Sequence, residues 1–248
     1  MTEFATLKDL NQMQKLNQFT ILSDSLAMPR PDEVECRILY RDIYSYKLEE
    51  RLGVKVVNRA RRSNTTKEQS LKQNMYDDVL FLNSKYVILH LGICDCAPRL
   101  FSKRFGKYFV DKIRPKFLRD KFIRFFSDNR YAFTKLYLIQ DVNAVNFSVN
   151  LDYILNFIVE SGSVPIVIDI AQTSEKNNSR SYLFNTHISN YNKIIHEKCK
   201  KYDAFIVNLY SESKKRNLLI SDGIHLNIKG HDFIVDEILK IANEIFNY

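Results

Sequence analysis

The sequence predicts an α/β fold, a three-layer α/β/α sandwich built on a five-stranded parallel sheet, and three observations predict it. Two short runs, Tyr86–Leu91 (YVILHL) and Pro165–Ile170 (PIVIDI), are dominated by apolar residues, as strands buried on both faces are. Strand-like runs alternate with helix-periodic ones along the chain, which calls for right-handed crossovers and a sheet covered on both faces. The polar clusters fall where strands stop, at the carboxyl ends where such sheets bind ligands.

Residues 1–17 are polar, with a weak helical pattern, and form a lead-in. Phe19–Leu22 is the first strand. It stops at Ser23-Asp24-Ser25, and Pro29 and Pro31 forbid an immediate helix. Val34, Ile38, Leu39, Ile43, Tyr46 and Leu48 have helical spacing and predict a helix over 32–52, opened at Pro31-Asp32 and stopped at Gly53. Val54–Val57 is the second strand, and Asn58–Thr66 (NRARRSNTT) is a basic loop. A helix over 67–82 leads into Tyr86–Leu91, which Gly92 ends. The stretch 99–160 is rich in Phe, Tyr, Lys and Arg, with at least two helical segments, one of them near 150–160; it is a helical insert in a single domain spanning 1–248. Pro165–Ile170, the polar loop AQTSEKNNSRS, a helix over 185–201, the strand Ala204–Leu209 and a closing helix over 228–246 complete the order.

The 248 residues, 45% apolar and 27% charged, are enough to bury a full core. No run approaches the ~20 apolar residues of a membrane span, and the first residues lack the apolar centre of a signal peptide, so the expected address is the cytoplasm. Cys36, Cys94, Cys96 and Cys199 are scattered, and the one C-x-C pair lacks the second pair of a zinc ribbon, so reduced thiols are expected. His90 sits in a buried strand and His231 on a helix, both structural; His187 and His196 share a helix with no metal-ligand partners, so no metal site is predicted. The net charge of +8 admits an acidic partner, although lysines spread over helix faces for solubility give the same number. The aromatics of 101–137 suit stacking on sugars or bases, but packing between helices is their expected role.

Two stretches carry the chemistry. Leu218–His231 (LLISDGIHLNIKGH) sets Asp222 and His225 three residues apart, and Phe19–Arg30 (FTILSDSLAMPR) delivers Ser25 where strand character stops. If both ends of the chain meet at one sheet edge, Ser25, His225 and Asp222 form a nucleophile, a base and an orienter. A Ser hydroxyl is a poor nucleophile until a neutral imidazole within ~3 Å accepts its proton, and that imidazole needs an acceptor to fix its tautomer.

At these residues the sequence resembles the SGNH hydrolases, the GDSL family of esterases, lipases and carbohydrate O-acyl esterases, whose fold is flavodoxin-like. The family's Gly-Asp-Ser-Leu appears as Ser23-Asp24-Ser25-Leu26, and its final Asp-x-x-His block as Asp222-Gly223-Ile224-His225. The resemblance implies Ser25 as nucleophile, His225 as general base and Asp222 as its orienting carboxylate, with no cofactor. It also implies an oxyanion site made by the N–H of Ser25 and by two further positions, and there the sequence departs from the pattern. Ser63 stands where the family has Gly, and Cys94, in Gly92-Ile93-Cys94-Asp95, stands where it has Asn. A thiol is a weak donor, and losing one oxyanion donor costs roughly 100- to 1000-fold in rate.

Arg30, Arg61, Arg62 and Arg99 lie in or after the loops that ring such a pocket, and are candidate substitutes for the donor or contacts for an anionic substrate. Asp24 and Asp95 complete the candidate substrate-binding set; Asp95 also suits bracing loops through backbone N–H groups, and Cys94 a small buried residue. Asp95-Cys96-Ala97-Pro98-Arg99 resembles a subgroup associated with bacterial surface-polysaccharide biosynthesis. The implied function is an esterase acting on an acyl ester of a carbohydrate or its precursor. The alternatives are an acyl or other group transferase and a non-catalytic module for an anionic glycan. Nucleic acid binding has only the net charge behind it and is not expected.

Overall fold

The computed structural model describes residues 14–31, 37–102, 112–113 and 115–246. Five strands, β1 (Leu16–Ser23), β2 (Val56–Asn58), β3 (Ser84–His90), β4 (Val164–Ile168) and β5 (Phe205–Val207), pair in the order β2-β1-β3-β4-β5. Every pairing is parallel. This is the doubly wound, flavodoxin-like order, in which the direction of winding reverses between the first and third strands and opens a crevice beyond their carboxyl ends. Ser23 pairs with His90 at that end, so Asp24-Ser25 and Leu91-Gly92 leave the sheet side by side.

Alternating side chains of the strands feed two cores. Leu22, Val87, Leu89 and Val167 face α4 (Ala144–Glu160) and α5 (Phe184–Lys201), which contribute Phe147, Leu151, Ile154, Ile158, Ile188 and Tyr191. Phe19, Ile21, Tyr86, Ile88, Ile166 and Ile168 face α1 (Tyr44–Leu52) and α6 (Ile228–Phe246), which contribute Tyr44, Leu48, Ile234, Val235 and Ile238. Cutting one of these fully buried chains, such as Ile88, back to Ala costs about 2–5 kcal/mol. Ile234, Ile238 and Ile241 repeat at helical spacing, and the Asn227 side chain starts α6 by accepting from Gly230 N at 2.9 Å.

Several expected boundaries move. β1 begins at Leu16, inside the expected lead-in, of which residues 1–13 lie outside the described residues. β2 begins two residues later and ends one residue later than expected, so Asn58 closes the strand instead of opening the loop. The helix expected over 32–52 is α-helical only from Tyr44; residues 32–36 lie outside the described residues. Arg30 and Ile38 exchange backbone hydrogen bonds as an antiparallel bridge, and Asp42 Oδ2 accepts from Leu39 N at the start of a 3₁₀ turn, so the described chain before Ile43 is a bridge and a 3₁₀ turn, not an α-helix, although Ile38 and Ile43 are buried. Gly53, at φ +64°, ends α1 as expected.

The helix expected over 67–82 is instead two single turns, Thr66–Gln69 and Lys72–Met75, and a π-helical turn, Tyr76–Leu80. A capping box between Thr65 and Glu68 starts the first turn, and extended Leu71 interrupts the run.

Of the stretch 99–160, α4 lies on the crossover from β3 to β4 and shares one of the sandwich layers with α5. Before α4 in the chain come α2 (Lys116–Asp128) and α3 (Arg130–Leu136). There Phe101, Phe122, Phe125, Phe126 and Phe133 pack on one another, whereas Phe117 and Tyr137 are exposed, so helix packing accounts for only some of these aromatics. Among the described residues Cys94, Cys96 and Cys199 are free thiols, and no helix is long and apolar enough to cross a membrane.

Candidate active site

β1 ends with Ser23, whose Oγ donates to His90 O at 3.0 Å. Asp24 is fully buried, and its Oδ1 accepts from Leu26 N at 2.8 Å. That bond turns the chain into a 3₁₀ turn, Ser25–Ala27, which lifts the Ser25 side chain to the rim. Burial raises the Asp24 carboxyl to about 6, against the opposing bonds from Leu26 N and Cys94 and the charges of His225 and Arg30.

The facing loop folds on itself through its own carboxylate. Asp222 Oδ1 accepts from Ile224 N and His225 N at 2.8 and 2.9 Å, and Oδ2 meets His225 Nδ1 at 2.5 Å. His225 Nε2 then stands 3.0 Å from Ser25 Oγ, across 200 residues of chain. Burial pushes the Asp222 carboxyl up, but the hydrogen bonds from the His225 ring and from the two backbone N–H groups outweigh it and hold it at about 2. The loop is anchored from a second side, where Asn177 Nδ2 donates to Asp222 O at 2.6 Å and Thr173 Oγ1 to Gly223 O at 2.7 Å. Both residues come from the polar loop after β4, whose composition marked it only as a loop.

The basic loop after β2 prolongs the sheet: Arg59 N and Arg61 N donate to Ile21 O and Ser23 O, carrying the chain past the end of β1. Ser63 follows at φ +56°, the left-handed backbone that favours Gly, and is exposed. After β3, Gly92 has φ +130°, and a Cβ there would stand 2.6 Å from Ile170 Cδ1, so only Gly lets the chain turn toward Cys94.

The structure brings Ser25, His225, Asp222 and Arg30 together; an Arg30 Nη2 atom contacts His225 Nε2. It engages most of the other candidates elsewhere. Cys94 Sγ donates to Asp24 Oδ2 at 3.3 Å, so the thiol is not offered as an oxyanion donor, and burial, then the Asp24 charge, pushes it up. Asp24 and Asp95 are fully buried and out of a substrate's reach. Asp95 Oδ1 accepts from Thr66 N and Thr66 Oγ1 at 2.9 and 2.6 Å, bracing the loop after β2 against the turn after β3, and burial raises its carboxyl to about 7 despite those bonds. Arg61 pairs with buried Asp78 at 2.6 Å, beside Arg59 at 2.7 Å. Arg99 holds Asp141 at 2.9 Å and Cys94 O at 3.1 Å. Arg62 is on an exposed face.

Elsewhere, His90 and His231 are buried against Tyr44, which donates its N–H to His231 Nδ1. His196 meets Asp169, and no cluster of three or more metal-capable side chains occurs among the described residues.

Comparison with known proteins agrees with this architecture. The model of the GDSL-like Lipase/Acylhydrolase family matches residues 24–233. No curated protein matches the chain in sequence. Among solved structures, a lipase/acylhydrolase from Enterococcus faecalis superposes with a TM-score of 0.59 at 16% identity, covering 90% of this chain and 95% of its own. An α/β hydrolase enzyme from the metagenome of Lake Arreo, Spain, gives 0.60 at 14% identity, with 92% and 95% covered. A catalytic mutant of Axe2, an acetylxylan esterase from Geobacillus stearothermophilus, gives 0.59 at 12% identity, with 92% and 95% covered. Likeness at such identities is one of fold.

Proposed function

The chain belongs to the GDSL-like lipase/acylhydrolase family, and from that premise we propose that it is a serine esterase that removes an acyl group from a carbohydrate or its activated precursor. The observation that carries the reading is the relay of contacts Ser25 Oγ to His225 Nε2 at 3.0 Å and His225 Nδ1 to Asp222 Oδ2 at 2.5 Å. Ser25 Oγ attacks the acyl carbonyl carbon while its proton passes to His225 Nε2; Asp222 fixes the ring so that Nδ1 carries the other proton. His225 then protonates the departing sugar oxygen, leaving an acyl-Ser25 ester. Water, deprotonated by His225, attacks that ester and releases the acid and free Ser25.

In this reading the N–H groups of Ser25 and Ser63 face the oxyanion, and Arg30 takes the place that Cys94 leaves empty. A guanidinium only donates, so its contact with His225 Nε2 engages the ring's lone pair, the one Ser25 needs. A bound ester draws Arg30 to the developing negative charge and releases Nε2 to Ser25. The carbohydrate ester finds support in the acetylxylan esterase among the structural neighbours.

Fluorophosphonate labelling and hydrolysis of a short-chain aryl ester test the reading: both occur in the wild type and both are lost in Ser25→Ala. The departure at Cys94 favours a second reading, a non-catalytic module that holds an anionic glycan. A wild type that neither labels nor turns over any ester selects it.

A further inference from the structure

Of the arginines that the sequence offers for an anionic substrate, Arg61 and Arg99 are already paired with Asp78 and Asp141. Two others are not. Arg130, at the start of α3, donates only to neutral oxygens, from Nε to Ser181 Oγ at 2.8 Å and from Nη2 to Pro98 O at 2.6 Å. Arg180 donates to Ser127 Oγ at 3.2 Å. Among the described residues no carboxylate pairs with either one, and Glu175, at the other end of the short helix that ends with Arg180, is taken by Lys214.

These two guanidinium groups share one cleft. It has a volume of about 230 Å³ and is lined by Arg130, Asn177, Arg180, Ser181, Phe184 and Ile224. Ile224 lies between Asp222 and His225, and Asn177 holds Asp222 O. The wall of the cleft is therefore the back of the loop that carries the base. Burial, and then the charges of Arg180 and Arg99, pulls the Arg130 guanidinium below its ordinary value. Like charges held together in this way carry a cost that a bound anion relieves.

We propose that Arg130 and Arg180 form an anion subsite that receives a carboxylate or phosphate group borne by the ester substrate. Each guanidinium has five N–H donors, so those left over from the bonds to Ser181, Pro98 and Ser127 suit an oxyanion group with two or more oxygens. Phe184 and Ile224 supply an apolar wall, and Asn177 and Ser181 neutral polar groups. The cleft is smaller than the roughly 300–1,000 Å³ of a pocket for a drug-sized ligand, so it fits one charged group or one sugar unit. As a specificity site for an ester substrate, the subsite rests on the esterase reading above; as an anion site it stands on its own geometry.

The test separates binding from turnover. Inorganic phosphate and methyl glucuronide are titrated calorimetrically into the wild-type chain and into Arg180→Gln, and kcat/KM is measured for acetylated methyl glucuronide and acetylated methyl glucoside. Among the described residues the Arg180 side chain makes a single hydrogen bond, and it is exposed, so Arg180→Gln keeps the fold; Arg130→Gln is read together with its melting temperature. The expected result is saturable binding in the wild type, weakened about tenfold or more in each variant, as for loss of a charged hydrogen bond, with the anionic-to-neutral ratio of kcat/KM falling by a similar factor. Lys176→Gln, which removes an exposed charge from the same helical turn, binds as wild type does. Failure of the wild type to bind either anion, or equal binding by wild type and both arginine variants, overturns the subsite. Hydrolysis of neutral esters without anion binding removes the subsite and leaves the esterase; anion binding without fluorophosphonate labelling removes the esterase and leaves the subsite.

Discussion

The thiol of Cys94 donates to the carboxylate of Asp24, 3.3 Å away, in the floor beneath Ser25. The bond accounts for two properties of the site. It gives a buried carboxyl one of its few partners, and it spends the only donor that Cys94 has. The position that in the resembling family carries an amide toward the oxyanion is here turned to holding the nucleophile's turn in place. Arg30 is a donor-rich side chain already in contact with His225 Nε2.

Arg30 and Cys94 are therefore expected to be coupled. Arg30→Gln should lower kcat on a short-chain aryl ester by roughly 100- to 1000-fold, the usual cost of one oxyanion donor. In a Cys94→Asn background the same change should cost less than tenfold, because Asn has two N–H donors, one for Asp24 and one for the oxyanion. Equal losses in the two backgrounds would assign Arg30 to another task.

Asp222 accepts three N–H groups, and its carboxyl is held at about 2. Asp222→Asn keeps an oxygen for the two backbone donors but turns an NH2 toward Nδ1. The ring then adopts the other tautomer, with its proton on Nε2, where it cannot accept from Ser25. A kcat loss of about 10⁴-fold follows, with little change in melting temperature at neutral pH. Because the folded pKa is depressed, Asp222 contributes stability above its ordinary value of about 3.9 and loses it as pH falls toward 2. The variant should accordingly have a shallower drop in melting temperature over that acid window. A variant retaining a tenth or more of wild-type kcat would remove Asp222 from the mechanism.

Features that one segment specifies by itself were legible in the sequence; features that needed a partner elsewhere were not. β3 and β4 are apolar on both faces, so burial left continuous runs, and the Asp222-x-x-His225 spacing is closed within one loop. The pairing of Arg99 with Asp141 spans 42 residues, and the convergence of Arg59 and Arg61 on Asp78 crosses a broken helix, so the sequence showed only a set of basic side chains. The segment 67–82 has helical spacing, yet capping at Thr65 and extended Leu71 cut it into turns that spacing cannot reveal. Thr173 and Asn177 acquire a role only once the loop after β5 arrives beside them.

The two buried carboxyls after β1 and β3 give a pH dependence of the opposite sign to that of Asp222. Burial raises Asp24 to about 6 and Asp95 to about 7, above the unfolded value of about 3.9. Between those limits the folded chain holds more protons than the unfolded one, so their contribution to stability falls as pH rises from about 4 to 7. Asp95→Asn cannot ionise, and Asn keeps an oxygen for Thr66 N and Thr66 Oγ1. Thermal melts at pH 5 and pH 8 should show a smaller difference for Asp95→Asn than for the wild type. An unchanged difference would mean that Asp95 is ionised in the folded chain throughout.

Ser63 holds φ +56° at a position where a side chain is unwelcome, and the oxyanion reading asks its N–H to point at the substrate. A left-handed backbone costs a non-Gly residue roughly 1–2 kcal/mol, so Ser63→Gly removes that cost but adds freedom to the unfolded chain, leaving stability within about 1 kcal/mol. A β-branched residue tolerates this backbone worst. Ser63→Val should therefore lower the melting temperature by about 2–8 °C, at roughly 2–4 °C per kcal/mol for a chain of this size. It should also lower kcat more than KM changes, because the N–H that is displaced matters only once the oxyanion forms. Ser63→Gly, in contrast, should keep wild-type kcat. If Ser63→Val loses stability with kcat intact, the backbone strain is real but the oxyanion donor lies elsewhere.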